Sequence, residues 1–139
     1  MRALGIDFGT VRIGVAVSDE KMKLASALTT IEYSKNNYQY VIDKLRLIIK
    51  RYEIDLIVLG YPILKDGTKR EITLLVESFY ERLKKAFENI RVVLYDESNS
   101  TKDTISNLKE VAQLKGSQIK KVKDKLAAQK ILQNYLERK

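Results

Sequence analysis

Ala3-Leu4-Gly5-Ile6-Asp7-Phe8-Gly9-Thr10, followed by Val11-Arg12-Ile13-Gly14-Val15-Ala16-Val17-Ser18, is the stretch that decides the fold of this chain. Ala3 to Phe8 is an apolar run of strand length, Gly9-Thr10 breaks it, and Ile13 to Ser18 alternates as a second strand, so the pair reads as a hairpin. Successive side chains of a strand point to opposite faces. Ala3, Gly5 and Asp7 therefore share one face of the first strand and Leu4, Ile6 and Phe8 the other. Gly14 and Ala16 share a face of the second, opposed by Ile13, Val15 and Val17. One face of the hairpin is thus small and ends in an aspartate. A face without large side chains lets another backbone approach closely.

Working outward, a third strand is expected around Ala27 to Tyr33, closed by the polar Ser34-Lys35-Asn36-Asn37. Val41, Ile42, Leu45, Ile48 and Ile49 recur at helical period and predict a helix from Tyr38 to Arg51. Asp55 to Gly60 is a continuous apolar run, typical of a strand buried on both faces, and Pro62 ends it. After a loop containing Asp66-Gly67-Thr68, Leu75, Val76, Phe79 and Leu83 predict a helix over Ile72 to Phe87. Arg91 to Tyr95 reads as another strand, stopped by Asp96-Glu97-Ser98-Asn99-Ser100. Helical patterning returns from Thr101 to about Leu114, with Gly116 as its cap, and again from about Val122 to Leu136. Three strands followed by helix, strand, helix, strand, helix, helix describe an α/β fold on one mixed sheet, with a single domain over residues 1–139.

The last helix offers a partner for the small-residue face. Ala127 and Ala128 lie three and four positions after Asp124, which puts Asp124 on the inward stripe with Ala127, Ala128 and Ile131. Docking that stripe on the hairpin brings Asp124 towards Asp7. In the strand ending Tyr95-Asp96-Glu97, residues 93, 95 and 97 share a face and Asp96 lies on the other. If these strands run parallel, Asp7 and Glu97 both fall at their carboxyl ends, where open α/β sheets place their ligand crevice. Each acid also has a plainer reading: Asp7 as a turn cap, Glu97 as a solvent-facing strand end, Asp124 as a favourable charge in the first helical turn. Taken together those readings account poorly for aspartates set within apolar stripes.

Composition narrows the chemistry. The chain has no Cys and no His, so thiol nucleophiles, imidazole bases and soft metal sites are excluded. Three carboxylates without nitrogen or sulfur donors suit a hard divalent cation, Mg²⁺ or Mn²⁺. Lys and Arg outnumber Asp and Glu by 26 to 18, and six of the eight net positive charges fall between Lys115 and Lys139. Lys120, Lys121 and Lys123 flank Asp124 and are candidates to hold a nucleic-acid backbone; a solvated helix face is the alternative. No uncharged stretch approaches the ~20 residues of a membrane span, and Asp7 interrupts any signal-peptide core, so a cytoplasmic protein without membrane attachment is expected.

These motifs carry a family resemblance. Residues Ala3 to Asp19 resemble the amino-terminal signature of the YqgF/RuvX family, the Holliday-junction-resolvase-like or pre-16S ribosomal RNA nucleases. Gly60-Tyr61-Pro62 with Asp66-Gly67-Thr68 is similar to its second motif, Asp96-Glu97 to its third, and Lys121 to Leu136 to its carboxyl-terminal helix. The resemblance implies an RNase H-like fold with a three-stranded antiparallel start and a five-stranded mixed sheet flanked by helices. It implies metal-dependent cleavage of structured nucleic acid, either branched DNA or the 5′ end of pre-16S rRNA, with Asp7, Glu97 and Asp124 as catalytic metal ligands. Asp66 and Asp96 are lesser candidates, supporting the ligands from behind. The sequence departs from the family after Glu97, where Ser98-Asn99-Ser100-Thr101 stands in place of an arginine, an apolar residue and two threonines. Two other readings remain: a nonenzymatic RNA-binding or ribosome-assembly module, and, because Gly5 to Thr10 also resembles a phosphate loop, a nucleotide-binding ATPase-like domain.

Overall fold

The computed structural model describes residues 1–63, 66–96 and 116–138. Strands β1 (Arg2–Asp7), β2 (Arg12–Ser18) and β3 (Ala25–Glu32) form an antiparallel meander, and β4 (Ile54–Tyr61) and β5 (Arg91–Asp96) extend it in the order β3-β2-β1-β4-β5. β4 runs parallel to β1 and β5 parallel to β4, so these three strands end on the same side of the sheet.

The two faces of the sheet differ as the alternation requires. On one, Leu4, Ile6, Ile13, Val15, Ile57 and Leu59 are buried against helices α1 (Tyr38–Tyr52) and α2 (Glu71–Ala86). Val41, Ile42, Leu45 and Ile49 supply the buried stripe of α1, and Thr73, Val76, Phe79 and Leu83 that of α2. Each fully buried aliphatic or aromatic side chain of this layer contributes about 1.5–3 kcal/mol of transfer free energy. Asn37 starts α1 by accepting the Tyr40 N–H, and Glu53 ends it in the left-handed region at φ 53°. Thr73 anchors α2, its hydroxyl accepting the Arg70 N–H and donating to the Pro62 carbonyl.

Helix α3 (Gly116–Glu137) covers the other face, where Ala3, Ala16, Ala25, Leu56 and Val58 meet Ala128, Ile131, Leu132 and Tyr135. Small residues from the sheet therefore face a helix stripe that is itself small at Ala128. α3 begins at Gly116, six residues before the expected start near Val122. The early turns carry Lys120 and Lys121 and are held by a polar contact from the Thr30 hydroxyl to the Lys121 carbonyl. Hydrophobic periodicity could not mark a segment docked that way. Gly116 is consequently the first residue of α3 rather than a cap; the helix expected from Thr101 to about Leu114 lies outside the described residues.

Candidate active site

Asp7 is the last residue of β1 and is half-buried. Across the hairpin it pairs with Gly14, while Ile6 pairs with Leu59 and Leu59 with Leu94. The next row of the sheet therefore brings Asp7 level with Gly60 and Tyr95. Gly14, on one side of Asp7, and Gly60, on the other, put no side chain over the face that α3 covers.

The approach of α3 is closest at Gly14. A Cβ placed there would stand 1.8 Å from the Asp124 carbonyl oxygen, and one at Gly5 would stand 2.7 Å from Leu132 Cβ. Only glycine at both positions allows the helix to lie this near. Because Gly14 is at once the cross-strand partner of Asp7 and the seat of Asp124, the two aspartates are carried to one end of the sheet by separate elements, as the pattern of small residues predicts.

Asp124 is engaged there. Arg12, the first residue of β2, donates its Nε–H to Asp124 Oδ2 at 2.9 Å, both side chains being little more than a quarter exposed. Burial pushes the Asp124 carboxyl above the ordinary carboxylate range, and the Arg12 guanidinium offsets only part of that rise. Arg12 pairs in register with Glu32 of β3, and Glu32 Oε1 lies 2.7 Å from Lys121 Nζ. Two acids and two bases therefore stitch α3 to the first and last residues of neighbouring strands. Arg12 did not emerge from the sequence pattern. Its signal was present, since it precedes Gly14 by two residues and so shares the small-residue face.

The remaining candidates separate. Glu97 lies outside the described residues, one position past the end of β5, whose Val93 and Tyr95 pack towards α3. Among the described residues no three carboxylates gather. Asp96 is exposed at the end of β5, opposite Tyr61. Asp66 is exposed in the loop after β4, where hydrogen bonds from the Thr68 hydroxyl and from the Thr68 N–H, the latter at 2.8 Å, hold its carboxyl below the usual pKa. Turn formation thus accounts for Asp66. Lys120, Lys121 and Lys123 are exposed on α3, and Lys121 is the one that faces Glu32.

Beyond Asp7 the hairpin turn is itself held in place. Tyr33, following β3, donates its hydroxyl to the Gly9 carbonyl at 2.5 Å and its N–H to the Val11 carbonyl at 3.1 Å. Burial raises the Tyr33 phenol to about 12.

A five-stranded mixed sheet with this strand order, acids at the carboxyl ends of its parallel strands and a long helix across one face defines an RNase H-like fold. The fowlpox virus Holliday junction resolvase superposes with a TM-score of 0.62 at 14% identity, covering 99% of each chain. Thermus thermophilus RuvC, solved with a Holliday junction substrate, gives 0.59 at 15% identity over 98% of this chain and 93% of its own. The model of the RuvX family, described as Holliday junction resolvase, matches residues 1–138, and the chain belongs to that family of nucleases. A relative from Ureaplasma parvum, named as a candidate pre-16S rRNA nuclease, is 45% identical over 98% of this chain and 96% of its own length. One from Geobacillus kaustophilus with the same name is 40% identical over 100% and 99%. Among the described residues, no helix is long and apolar enough to cross a membrane.

Proposed function

We propose that this protein is a cytoplasmic, metal-dependent endonuclease acting on structured nucleic acid, with the 5′ end of pre-16S rRNA as its substrate. The observation that carries this reading is the seating of Asp124 on Gly14, the residue paired with Asp7. The names of the relatives support the choice of RNA. The donor set fits a hard divalent ion, because Asp7 and Asp124, the half-buried acids brought to this end of the sheet, offer oxygen ligands and the chain has no imidazole or thiol.

Asp7 and Asp124 would hold Mg²⁺ or Mn²⁺ together with Glu97, which follows β5 directly in the chain. The bound ion supplies an activated water and neutralises charge developing on the phosphate. The protein's own part is positional. The hairpin fixes Asp7, α3 fixes Asp124, and Gly14 lets the α3 main chain come down beside Asp7. Lys120 and Lys123, exposed next to Asp124, are suited to phosphates of the strand being cut. The test is cleavage of precursor rRNA and branched DNA by the wild type and by Asp7→Asn, Asp124→Asn and Glu97→Gln. Metal-dependent cutting by the wild type, lost in all three variants, supports the assignment. Tight RNA binding without cutting under any metal condition would instead mark a nonenzymatic assembly module.

A further inference from the structure

Arg12 is placed where a metal ligand has to work. Its guanidinium bonds Asp124 Oδ2 through Nε alone, on the face of β2 that also carries Gly14. A guanidinium cannot lose its charge, so at every working pH it contends for the same carboxylate lone pairs that a cation would take. A second acceptor is at hand: Glu32 stands opposite Arg12 in the β2–β3 ladder.

We propose that Arg12 is a resident counter-cation for Asp124, exchanged for the divalent ion when the site loads and turning then towards Glu32. The proposal rests on the reading of Asp124 as a metal ligand and adds a regulation of that site. Its consequence has a distinctive sign. A merely structural arginine, when removed, loosens the site and weakens metal binding. An exchangeable one, when removed, strengthens it.

Mn²⁺ binding to the full-length protein, followed through the EPR signal of the free ion at constant ionic strength, separates these cases without any cleavage assay. Arg12→Gln should bind Mn²⁺ roughly tenfold more tightly than the wild type, the low end of what one opposite charge at this range does to a carboxylate's proton affinity. Arg12→Lys keeps the charge but loses the planar Nε donor and should fall between the two. Asp124→Asn should bind far more weakly than the wild type. Unchanged or weaker binding by Arg12→Gln, with Asp124→Asn impaired, overturns the exchange and leaves the ligand assignment standing. Equal binding by Asp124→Asn and the wild type defeats the ligand assignment, and the exchange falls with it. Should Arg12→Gln not fold, binding by Arg12→Lys no tighter than the wild type overturns the proposal by itself.

Discussion

The main chain of Asp124 rests on Gly14, so close that a methyl group at position 14 would stand 1.8 Å from the Asp124 carbonyl oxygen. This contact joins the two ends of the chain. It sets the height of α3 above the sheet and, through the pairing of Gly14 with Asp7, the relation between the two aspartates.

Gly14→Ala should therefore be among the costliest small substitutions in the protein. The clash is with backbone, which cannot rotate away, so a loss of about 3 kcal/mol, the upper end for overpacking, is expected. Gly5→Ala meets Leu132 Cβ at 2.7 Å and the Ala128 carbonyl oxygen at 3.0 Å and should cost less, because both overlaps are smaller than the one at position 14. Urea unfolding of both variants checks the order. Nuclease activity of whatever Gly14→Ala folds should fall further than that of Gly5→Ala, because only position 14 carries Asp124.

Tyr33 should titrate well above an ordinary phenol. Its folded pKa of about 12 exceeds the ordinary value of 10.0. The stability it confers is fully present below pH 10.0, where the phenol is neutral in both states, and is lost as pH rises towards about 12 because only the unfolded chain ionises. Ultraviolet titration should show a late phenol that Tyr33→Phe removes. That variant should lose about 1 kcal/mol at neutral pH through the missing bond to Gly9.

Neutralising Lys120, Lys121 and Lys123 together should weaken binding to all nucleic-acid sequences. The salt dependence should become shallower by up to about 0.9 slope units for each phosphate of duplex DNA that a lysine no longer neutralises. Lys121 is paired with Glu32 at 2.7 Å, so its single substitution should change the slope less than that of Lys120 or Lys123. Fold stability should change little, because an exposed ion pair such as Lys121 with Glu32 is largely screened by water. An unchanged slope in the triple variant would reduce these lysines to a solvated face.

Most of the fold was legible because its signals are local. The strand alternation of Leu4, Ile6, Ile13 and Val15 and the helical period of Val41, Ile42, Leu45 and Ile49 each survive into the buried layer. The small-residue face of the hairpin foretold the docking of α3, since glycine at 5 and 14 has a meaning only if something comes near. The start of α3 was not legible, because its early turns are secured by contacts that a hydrophobic pattern does not record: the Thr30 hydroxyl on the Lys121 carbonyl, and Lys121 on Glu32. Arg12 escaped for a related reason: a charged residue at a strand end reads as solvent-facing until the helix carrying Asp124 is placed above it.

Asp7 can be examined through stability as well as catalysis. On the proposed assignment Asp7 meets other carboxylates in the metal-free site and like charges repel, so Asp7→Asn should be neutral or stabilising in chelator, whereas loss of a turn-capping aspartate would destabilise. Mg²⁺ at a hundredfold its dissociation constant should stabilise the wild type by about 2.7 kcal/mol, and the variant by much less. Thermal melting of both proteins with chelator and with Mg²⁺ at matched ionic strength gives all four values.

Metal-dependent catalysis through Asp7 stands or falls on cleavage of precursor 16S rRNA and of a four-way DNA junction by the wild type and by Asp7→Asn, each with Mn²⁺, with Mg²⁺ or with chelator. The wild type should cut the precursor RNA only with a divalent ion, and Asp7→Asn should not cut it at all. Undiminished hydrolysis by the wild type in chelator, or full activity of Asp7→Asn with metal present, would contradict that mechanism.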